Sequence, residues 1–429
     1  MNIVLLSGGS GRRLWPLSND IKSKQFIRFF KKDDGSYESM LERVFYQIKR
    51  TDCSARITIA TSEVQVPFIR EQLGDNVAIS IEPDRRDTFP AIVLSSLFLH
   101  EKLGVGIYEP IIVCPVDPYV DDSYYLLFKE LEGIVDEGKA NLTLMGITPT
   151  YPSEKYGYII PEDTEKVSKV RAFKEKPDCE TARGYIECGA LWNAGVFAFR
   201  LGYLLDIAHK LIEFKNYDDL YDKYHCLERI SFDYAVVEKE KDIEVLRYNG
   251  RWEDVGTWNT ICDVLDENVI GNVTMDDTSS NLCAINELSI PILCMGCNDM
   301  IVVANEDGIL VSDKKRSSFI KPLVDRLSTE SKDNDLTLVN CDESSLLYRL
   351  KLNKNKSFSS CSKTERIIIN AVHGSGTIMI DGCQTQLISG DSFSVLDRQE
   401  YEIVSLSDFE AVIIVLGTEK IMPKEEEKG

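Results

Sequence analysis

The chain has 429 residues, 43% of them hydrophobic and 28% charged, with 70 acidic against 49 basic side chains and a formal net charge of −21. That length exceeds one ordinary core and predicts two or three globular, soluble domains, and no apolar run approaches the roughly eighteen residues that span a bilayer. The acid excess speaks against nucleic acid or an anionic membrane as partner, but leaves small anionic substrates open, because a local basic cleft decides those.

The first apolar run, Ile3 to Leu6, leads into Ser7-Gly8-Gly9-Ser10-Gly11-Arg12-Arg13-Leu14-Trp15-Pro16-Leu17-Ser18, with Lys24-Gln25-Phe26 shortly after. Glycines at 8, 9 and 11 let backbone N–H groups approach an anion and turn sharply where a Cβ would obstruct. The loop is not a Walker motif, because no Gly-Lys-Ser/Thr follows. Nor is it the dinucleotide fingerprint, because Leu14 stands where a third small residue is needed. Between Arg12 and Lys32 lie seven basic residues and one acid, Asp20, a reversal of the chain's overall charge that calls for something anionic. A solvated strand-to-helix turn has the same composition, so the loop alone leaves both readings open. Four apolar residues running straight into it do not make a signal peptide, which predicts a cytoplasmic chain.

Up to about residue 265, short apolar runs at Ile57 to Ala60, Ile111 to Pro115 and Leu142 to Ile147 read as buried strands. Segments with helical spacing, Glu63 to Leu73, Pro90 to Lys102 and Tyr124 to Asp136, lie between them. This alternation predicts a doubly wound α/β sheet with ligands at the carboxyl ends of its strands, which places the glycine loop and Asp117 on one edge. Asn268 to Asp313 reads as short strands broken by Asn, Asp and Gly, Lys314 to Leu327 as a helix, and Ser328 to Asp335 as a polar linker. Leu336 to Gly417 reads as an all-β unit with turns at Gly374-Ser375-Gly376, Asp381-Gly382 and Gly390-Asp391, and the charged tail from Pro423 as disordered. Twelve cysteines without regular spacing predict reduced thiols, and the lone pair Cys294-x-x-Cys297 has no second pair to complete a zinc site.

The loop segment resembles the signature of the sugar-1-phosphate nucleotidyltransferases, and its Trp-Pro-Leu-Ser and Lys-Gln-Phe are similar to the mannose-1-phosphate guanylyltransferase branch. Further matches run to Trp258 and, less specifically, to Leu327. The resemblance implies an α/β, Rossmann-like catalytic domain over 1–265, a β-rich extension over 266–330 and a small cupin-like all-β domain over 336–420. It implies condensation of GTP with mannose 1-phosphate to GDP-mannose and pyrophosphate by Mg2+-assisted in-line attack on the α-phosphate. The same chemistry on another sugar 1-phosphate or nucleoside triphosphate, and a non-catalytic nucleotide-sugar-binding relative, are the alternatives.

That chemistry joins two polyanions, so neutralisation and alignment are its main tasks. Ser7, Gly8, Gly9 and Gly11 would cradle phosphates, Arg13 would donate to the β- and γ-phosphates and Lys24 would sit near the α-phosphate. Asp117, at a strand end, and Asp254, in Trp252-Glu253-Asp254-Val255-Gly256-Thr257-Trp258, would hold Mg2+ with the phosphates. Glu82 would read guanine, with Arg86 beside the nucleotide. Gly157, Tyr158, Glu175, Lys176 and Asn193 would bind the sugar phosphate, Lys176 by pairing with the phosphate itself, while Asp233 would be structural. The chain departs from the family at Ser23, where proline is usual before the lysine, and at Arg85 and Asp87, which bear on base or ribose recognition. In the cupin-like part the family's three histidines fall on Ser360-Cys361-Ser362, with Glu365 retained. Two hydroxyls and a thiol do not replace three imidazoles, so an isomerase site there is expected to be inactive and the unit to act as a scaffold. Its strand edges leave a homodimer open.

Overall fold

A computed structural model describes residues 1–9, 12–19, 21–330, 334–341, 345–362 and 366–416, in two compact units, Met1–Lys321 and Pro322–Gly429. Gly11 and Glu365, named above, lie outside the described residues, as does the tail from Pro423.

The first unit is organised by a nine-stranded sheet. Its strands are β1 (Asn2–Leu6), β2 (Arg56–Ser62), β3 (Ala78–Glu82), β4 (Pro110–Pro115), β5 (Leu142–Ile147), β6 (Tyr158–Pro161), β7 (Val167–Lys174), β8 (Leu191–Arg200) and β9 (Ile243–Tyr248). They lie in the order β3-β2-β1-β4-β8-β5-β9-β7-β6. The first four pair in parallel, and β8 runs antiparallel to both β4 and β5. Strand β1 is flanked on both sides and covered on both faces, which is why Ile3, Val4 and Leu5 are all fully buried and show no alternation.

Helices α1 (Met40–Thr51), α2 (Val66–Leu73), α3 (Thr88–Leu97), α4 (Asp122–Glu137), α5 (Cys179–Glu187) and α6 (Leu201–Leu211) connect these strands. The α3 and α6 side packs on Val4, Val113, Leu144 and Phe199. Helix α4 sets Tyr124 and Tyr125 beside Cys114, a neighbour of Val113 in β4 and so on the other face. Helix α1 starts where Ser39 and Glu42 form a reciprocal capping box. From β1 the chain winds outward through β2 and β3, then returns to place β4 on the other side of β1. This reversal opens a crevice at the carboxyl ends of β1 and β4.

The segment after the sheet winds as a short parallel solenoid. Strands Val269–Gly271, Cys283–Asn286 and Met300–Asn305 stack in parallel, and Val273–Met275 pairs in parallel with Ile292–Cys294. Leu282, Ala284, Cys294 and Val302 fill its core, so Cys294 is a packing residue, while Cys297 donates to the Met295 carbonyl. One expectation is corrected here. Cys262, at the end of α7 (Trp258–Cys262), and Cys283 form a disulfide with Cα atoms 6.1 Å apart. Both side chains are buried, and a single pair leaves no spacing pattern from which to read it.

The second unit is a two-layer antiparallel sandwich of the double-sheet type found in jelly rolls and cupins. One sheet orders Asn334–Cys341, Ser345–Leu352, Phe409–Leu416, Arg366–His373 and Ser392–Leu396; the other orders Ser357–Cys361, Glu400–Ser405, Ser375–Ile380 and Cys383–Ile388. Asp381 and Gly382, both at positive φ, make the two-residue hairpin turn that their sequence predicted. Ser360 and Ser362 are buried with Phe358, whereas Cys361 between them is only half-buried.

Candidate active site

The glycine loop leaves β1 at the crevice and is held from below by buried polar side chains. Gln25 Nε2 donates to the Ser7 carbonyl at 2.9 Å, and Ser23 Oγ donates to the Gly9 carbonyl at 2.6 Å. Ser23 in turn accepts from Gln65 Nε2 at 2.6 Å, and Gln65 accepts from Thr61 at 2.7 Å. A peptide whose carbonyl is tied inward turns its N–H outward, so fastening Ser7 O presents the Gly8 amide to the cleft. Ser23 thus ties the loop with a hydroxyl where the resembling family has proline. If the loop holds a nucleotide, as the resemblance implies, Ser23→Ala should raise its KM several-fold, with Ser23→Thr closer to wild type, in steady-state kinetics. An unchanged KM would count against the brace.

Trp15 and Pro16, just beyond the loop, are held by two side chains from distant segments. Trp258 Nε1 donates to the Trp15 carbonyl at 2.9 Å, and Asn305 Nδ2 donates to the Pro16 carbonyl at 2.9 Å. The basic run splits on folding. Arg28 pairs with Glu42 and Glu71, Lys31 with Glu267 and Lys32 with Asp34, away from the loop. Lys24 stays at the crevice with its Nζ 3.1 Å from Asp117 Oδ2, and Arg13 is exposed in the turn after the loop.

Asp117 lies between β4 and the short strand Pro118–Val120. That strand pairs antiparallel with Trp252–Asp254, setting Asp254 opposite Pro118. The two aspartates, 137 positions apart, therefore share one place, with Lys24 close to both. Burial raises the Asp254 carboxyl, Lys24 opposes it, Asp117 adds to it, and Arg13 and Lys155 hold it down.

Two cavities meet there. One, of about 290 Å³, is lined by Ser7, Gly8, Gly9, Glu82, Arg85 and Arg86 among others, and reaches Pro115 and Asp117. Glu82 is 8% exposed; its Oε2 accepts from the buried Tyr224 hydroxyl at 2.9 Å, and its Oε1 would stand 3.4 Å from a Cβ on Gly8. Arg86 is anchored to Asp84 at 2.7 Å and to the His225 carbonyl. Arg85, noted in the sequence only as a substitution, also lines this cavity.

Burial pushes Glu82 up to about 7, against the Tyr224 hydrogen bond. The folded state therefore binds this proton more tightly than the unfolded chain, and the stability it contributes is lost as pH rises through about 7. Glu82→Gln should accordingly gain in melting temperature, relative to wild type, between roughly pH 5 and pH 8. A pH-independent difference would show that burial does not hold the proton.

The second cavity, of about 210 Å³, shares Pro115 and Asp117 and adds Asp254, Gly157, Glu175 and Asn193. Strand β8 slips register between Asn193 and Phe197, which lets Asn193 to Gly195 turn into the cavity. Gly157 has no room for a side chain: a Cβ would lie 2.5 Å from Glu175 Oε2 and 2.7 Å from the Phe173 ring. Glu175 Oε1 is 2.5 Å from Lys176 Nζ, while the buried Oε2 has no hydrogen-bond partner among the described residues.

Three sequence assignments change here. Tyr158 is fully buried and does not line the cavity. Its hydroxyl accepts from Ser153 N and Trp192 Nε1 and donates to the Ser153 carbonyl, so it holds the 153–157 loop rather than a sugar. Lys176 does not line the cavity, its ammonium being tied to Glu175. Asp233, read as structural, does line it; it accepts from Asn193 Nδ2 at 2.7 Å, and burial followed by the neighbouring Glu175 charge pushes it up to about 7. Nothing in local sequence separates Asp233 from a helix-capping aspartate.

A glycine loop and two carboxylates at the switch point of a doubly wound sheet define a phosphate-handling enzyme, and the chain belongs to the nucleotidyl transferase family, whose profile matches residues 2–268. A mannose-1-phosphate guanylyltransferase of Salmonella montevideo is 29% identical over 78% of this chain and 75% of its own. The alginate biosynthesis protein AlgA of Pseudomonas aeruginosa is 30% identical over 77% of this chain and 72% of its own. Among solved structures, a mannose-1-phosphate geranyltransferase from Thermus thermophilus superposes with a TM-score of 0.63 at 26% identity, covering 76% of this chain and 98% of that one. Among the described residues no helix is long and apolar enough to cross a membrane.

Proposed function

We propose that the chain condenses GTP with mannose 1-phosphate, forming GDP-mannose and releasing pyrophosphate. The observation that carries this reading is the meeting of the two cavities at Asp117: a cleft over the glycine loop and a polar pocket, joined where two carboxylates and a lysine converge. The name of the Salmonella relative supports the same substrates.

The attacking phosphate oxygen is already ionised at neutral pH, so no general base is required and the protein's task is to align and neutralise. Loop amides and Arg13 take the β- and γ-phosphates, and Lys24 moves from Asp117 to the α-phosphate as the nucleotide enters. Glu82 Oε1 accepts from the guanine N1–H and 2-amino groups while Tyr224 occupies the other oxygen. Glu175 Oε2 and Asn193 take sugar hydroxyls. Two carboxylates with substrate phosphates make the hard-oxygen donor set that Mg2+ uses, so Asp117 and Asp254 fit it. When bound, that ion neutralises phosphate charge in the transition state.

The test is pyrophosphate release with Mg2+ for GTP, ATP, CTP and UTP, each against mannose 1-phosphate and glucose 1-phosphate. Turnover concentrated in the GTP and mannose 1-phosphate pair is expected. Preference for another pair would reassign the substrates, and silence throughout would favour a binding protein.

A further inference from the structure

Resting on that reading of the crevice as a nucleotide site, we infer that a third cavity, behind the wall of the nucleotide side, is an effector site. It takes a dipeptide-sized zwitterion with an apolar body, and its occupation weakens nucleotide binding. The cavity holds about 370 Å³, more than either cavity at Asp117 and within the range of small-molecule sites, and it shares no lining residue with them. The wall between serves both sides, residue by residue. Tyr224 turns its hydroxyl to Glu82 Oε2 at 2.9 Å and His225 gives its carbonyl to Arg86, both on the nucleotide side, while Cys226, Leu227 and Ile230 line the third cavity. The other half of the wall alternates likewise: Asp87 and Thr88 line the nucleotide side, Phe89 and Pro90 the third cavity. The halves are stitched together, Phe89 N donating to the Ile230 carbonyl at 3.2 Å and Phe232 N to Thr88 Oγ1 at 2.8 Å. A body pressed against Phe89, Leu227 and Ile230 therefore displaces the chain that holds Glu82 and Arg86, because a packed wall moves as a unit.

The lining decides the occupant. Phe89, Pro90 and Ala235 are buried and form an apolar floor, whereas Glu213, Lys223, Glu228 and Lys239 are exposed and form a rim of both signs. Lys223 is paired with Asp219 at 3.0 Å, so the rim leans acidic and disfavours a nucleotide or a sugar phosphate. The substrates and product of the proposed reaction are thus poor occupants. An ammonium answers the two glutamates, a carboxylate answers Lys239, and apolar side chains cover the floor. A dipeptide of apolar residues carries all three.

Cys226, exposed in the lining, reports occupancy, and Cys53, exposed elsewhere, is the internal control. The experiment uses the full chain with leucyl-phenylalanine as probe, beside its anionic N-acetyl form and its cationic amide, which carry the same apolar body. Alkylation of each cysteine by iodoacetamide is followed by peptide mass spectrometry, and GTP affinity by calorimetric titration. The dipeptide should slow Cys226 alkylation roughly tenfold at ten times its Kd and leave Cys53 unchanged, with the two singly charged forms protecting less. The Kd of GTP should rise roughly fivefold or more, and by linkage GTP should weaken dipeptide binding by the same factor. Glu213→Gln combined with Glu228→Gln should remove the protection and leave basal kinetics unchanged. No protection of Cys226 overturns the site, equal protection by all three probes overturns its ligand class, and protection with an unchanged GTP affinity overturns the coupling. A chain that binds GTP yet turns over no substrate pair would refute the proposed reaction, while the titrations still decide the effector site. A wild type that binds no nucleotide overturns both.

Discussion

Asp117→Asn is expected to lower turnover roughly a hundred- to ten-thousand-fold, the range spanned when a few kcal/mol of charge stabilisation are withdrawn from a phosphoryl centre. Its side chain is 46% exposed and, among the described residues, paired only with Lys24, so folding should change by no more than about 1 kcal/mol. Asp254→Asn should lose activity to a similar degree for the opposite structural reason. Its carboxyl is pressed upward by burial, and the neutral isostere removes that penalty, so this variant should melt at or above wild type near neutral pH. If both carboxylates serve one ion, the double variant should be little worse than either single one. Initial rates of pyrophosphate release together with thermal melts settle this. Residual activity within tenfold of wild type in either single variant would remove it from the site.

Gly157→Ala is the second large effect. A methyl group there would lie 2.5 Å from Glu175 Oε2 and 2.7 Å from the Phe173 ring, and neither can retreat easily. Phe173 and Lys174 are tied in β7 to Ile159 and Tyr158 of β6, so the backbone on both sides of the contact is fixed. The substitution should cost about 1–3 kcal/mol of stability, as overpacking does. By displacing Glu175 it should also weaken sugar-phosphate binding by roughly two orders of magnitude. Nucleotide binding, handled on the far side of Asp117, should survive. Gly133→Ala in α4 is the control, since nothing lies within 4 Å of its added Cβ, and helix propensity should make it neutral or slightly stabilising. Calorimetric titration of each substrate separates the outcomes. Equal loss of both ligands would mean general unfolding rather than a local clash.

The two cavities divide the work along the chain as well as in space. Residues up to Asp117 line the cavity over the glycine loop and those from Pro115 onward line the polar one, so the strand end that carries Pro115 and Asp117 belongs to both. The solenoid segment contributes through Asn305, whose bond to the Pro16 carbonyl holds the turn that follows the glycine loop.

Much of the architecture was written in local pattern. Apolar runs of four to six residues separated by helical spacing have few ways to bury themselves other than a wound sheet, and Ile3 to Leu5, Ile111 to Val113 and Leu142 to Leu144 lie in its core. Gly382 and Gly390 stand at positive φ because their turns demand it. The glycine loop, Lys24 and Asp117 were legible together for the same reason: each sits next to a strand end, and winding order alone places those ends side by side. Where a side chain points, and what already occupies it, was not legible. Tyr158 and Tyr156 are two positions apart, yet one is buried as a clasp and the other lines the pocket. Lys176 and Lys155 are chemically alike, but among the described residues only the first forms an ion pair with a buried carboxylate. The Cys262–Cys283 bond, the Asn193–Asp233 pair and the pairing of Asp254 beside Pro118 join positions far apart in the chain. The sequence by itself determined the sheet, the phosphate loop and the class of chemistry, because those follow from short-range periodicity and from residue types at strand ends. Only the tertiary structure decided which lysine meets a buried carboxylate and which aspartates converge, because those depend on partners brought in by distant segments, whose burial and charge no local spacing records.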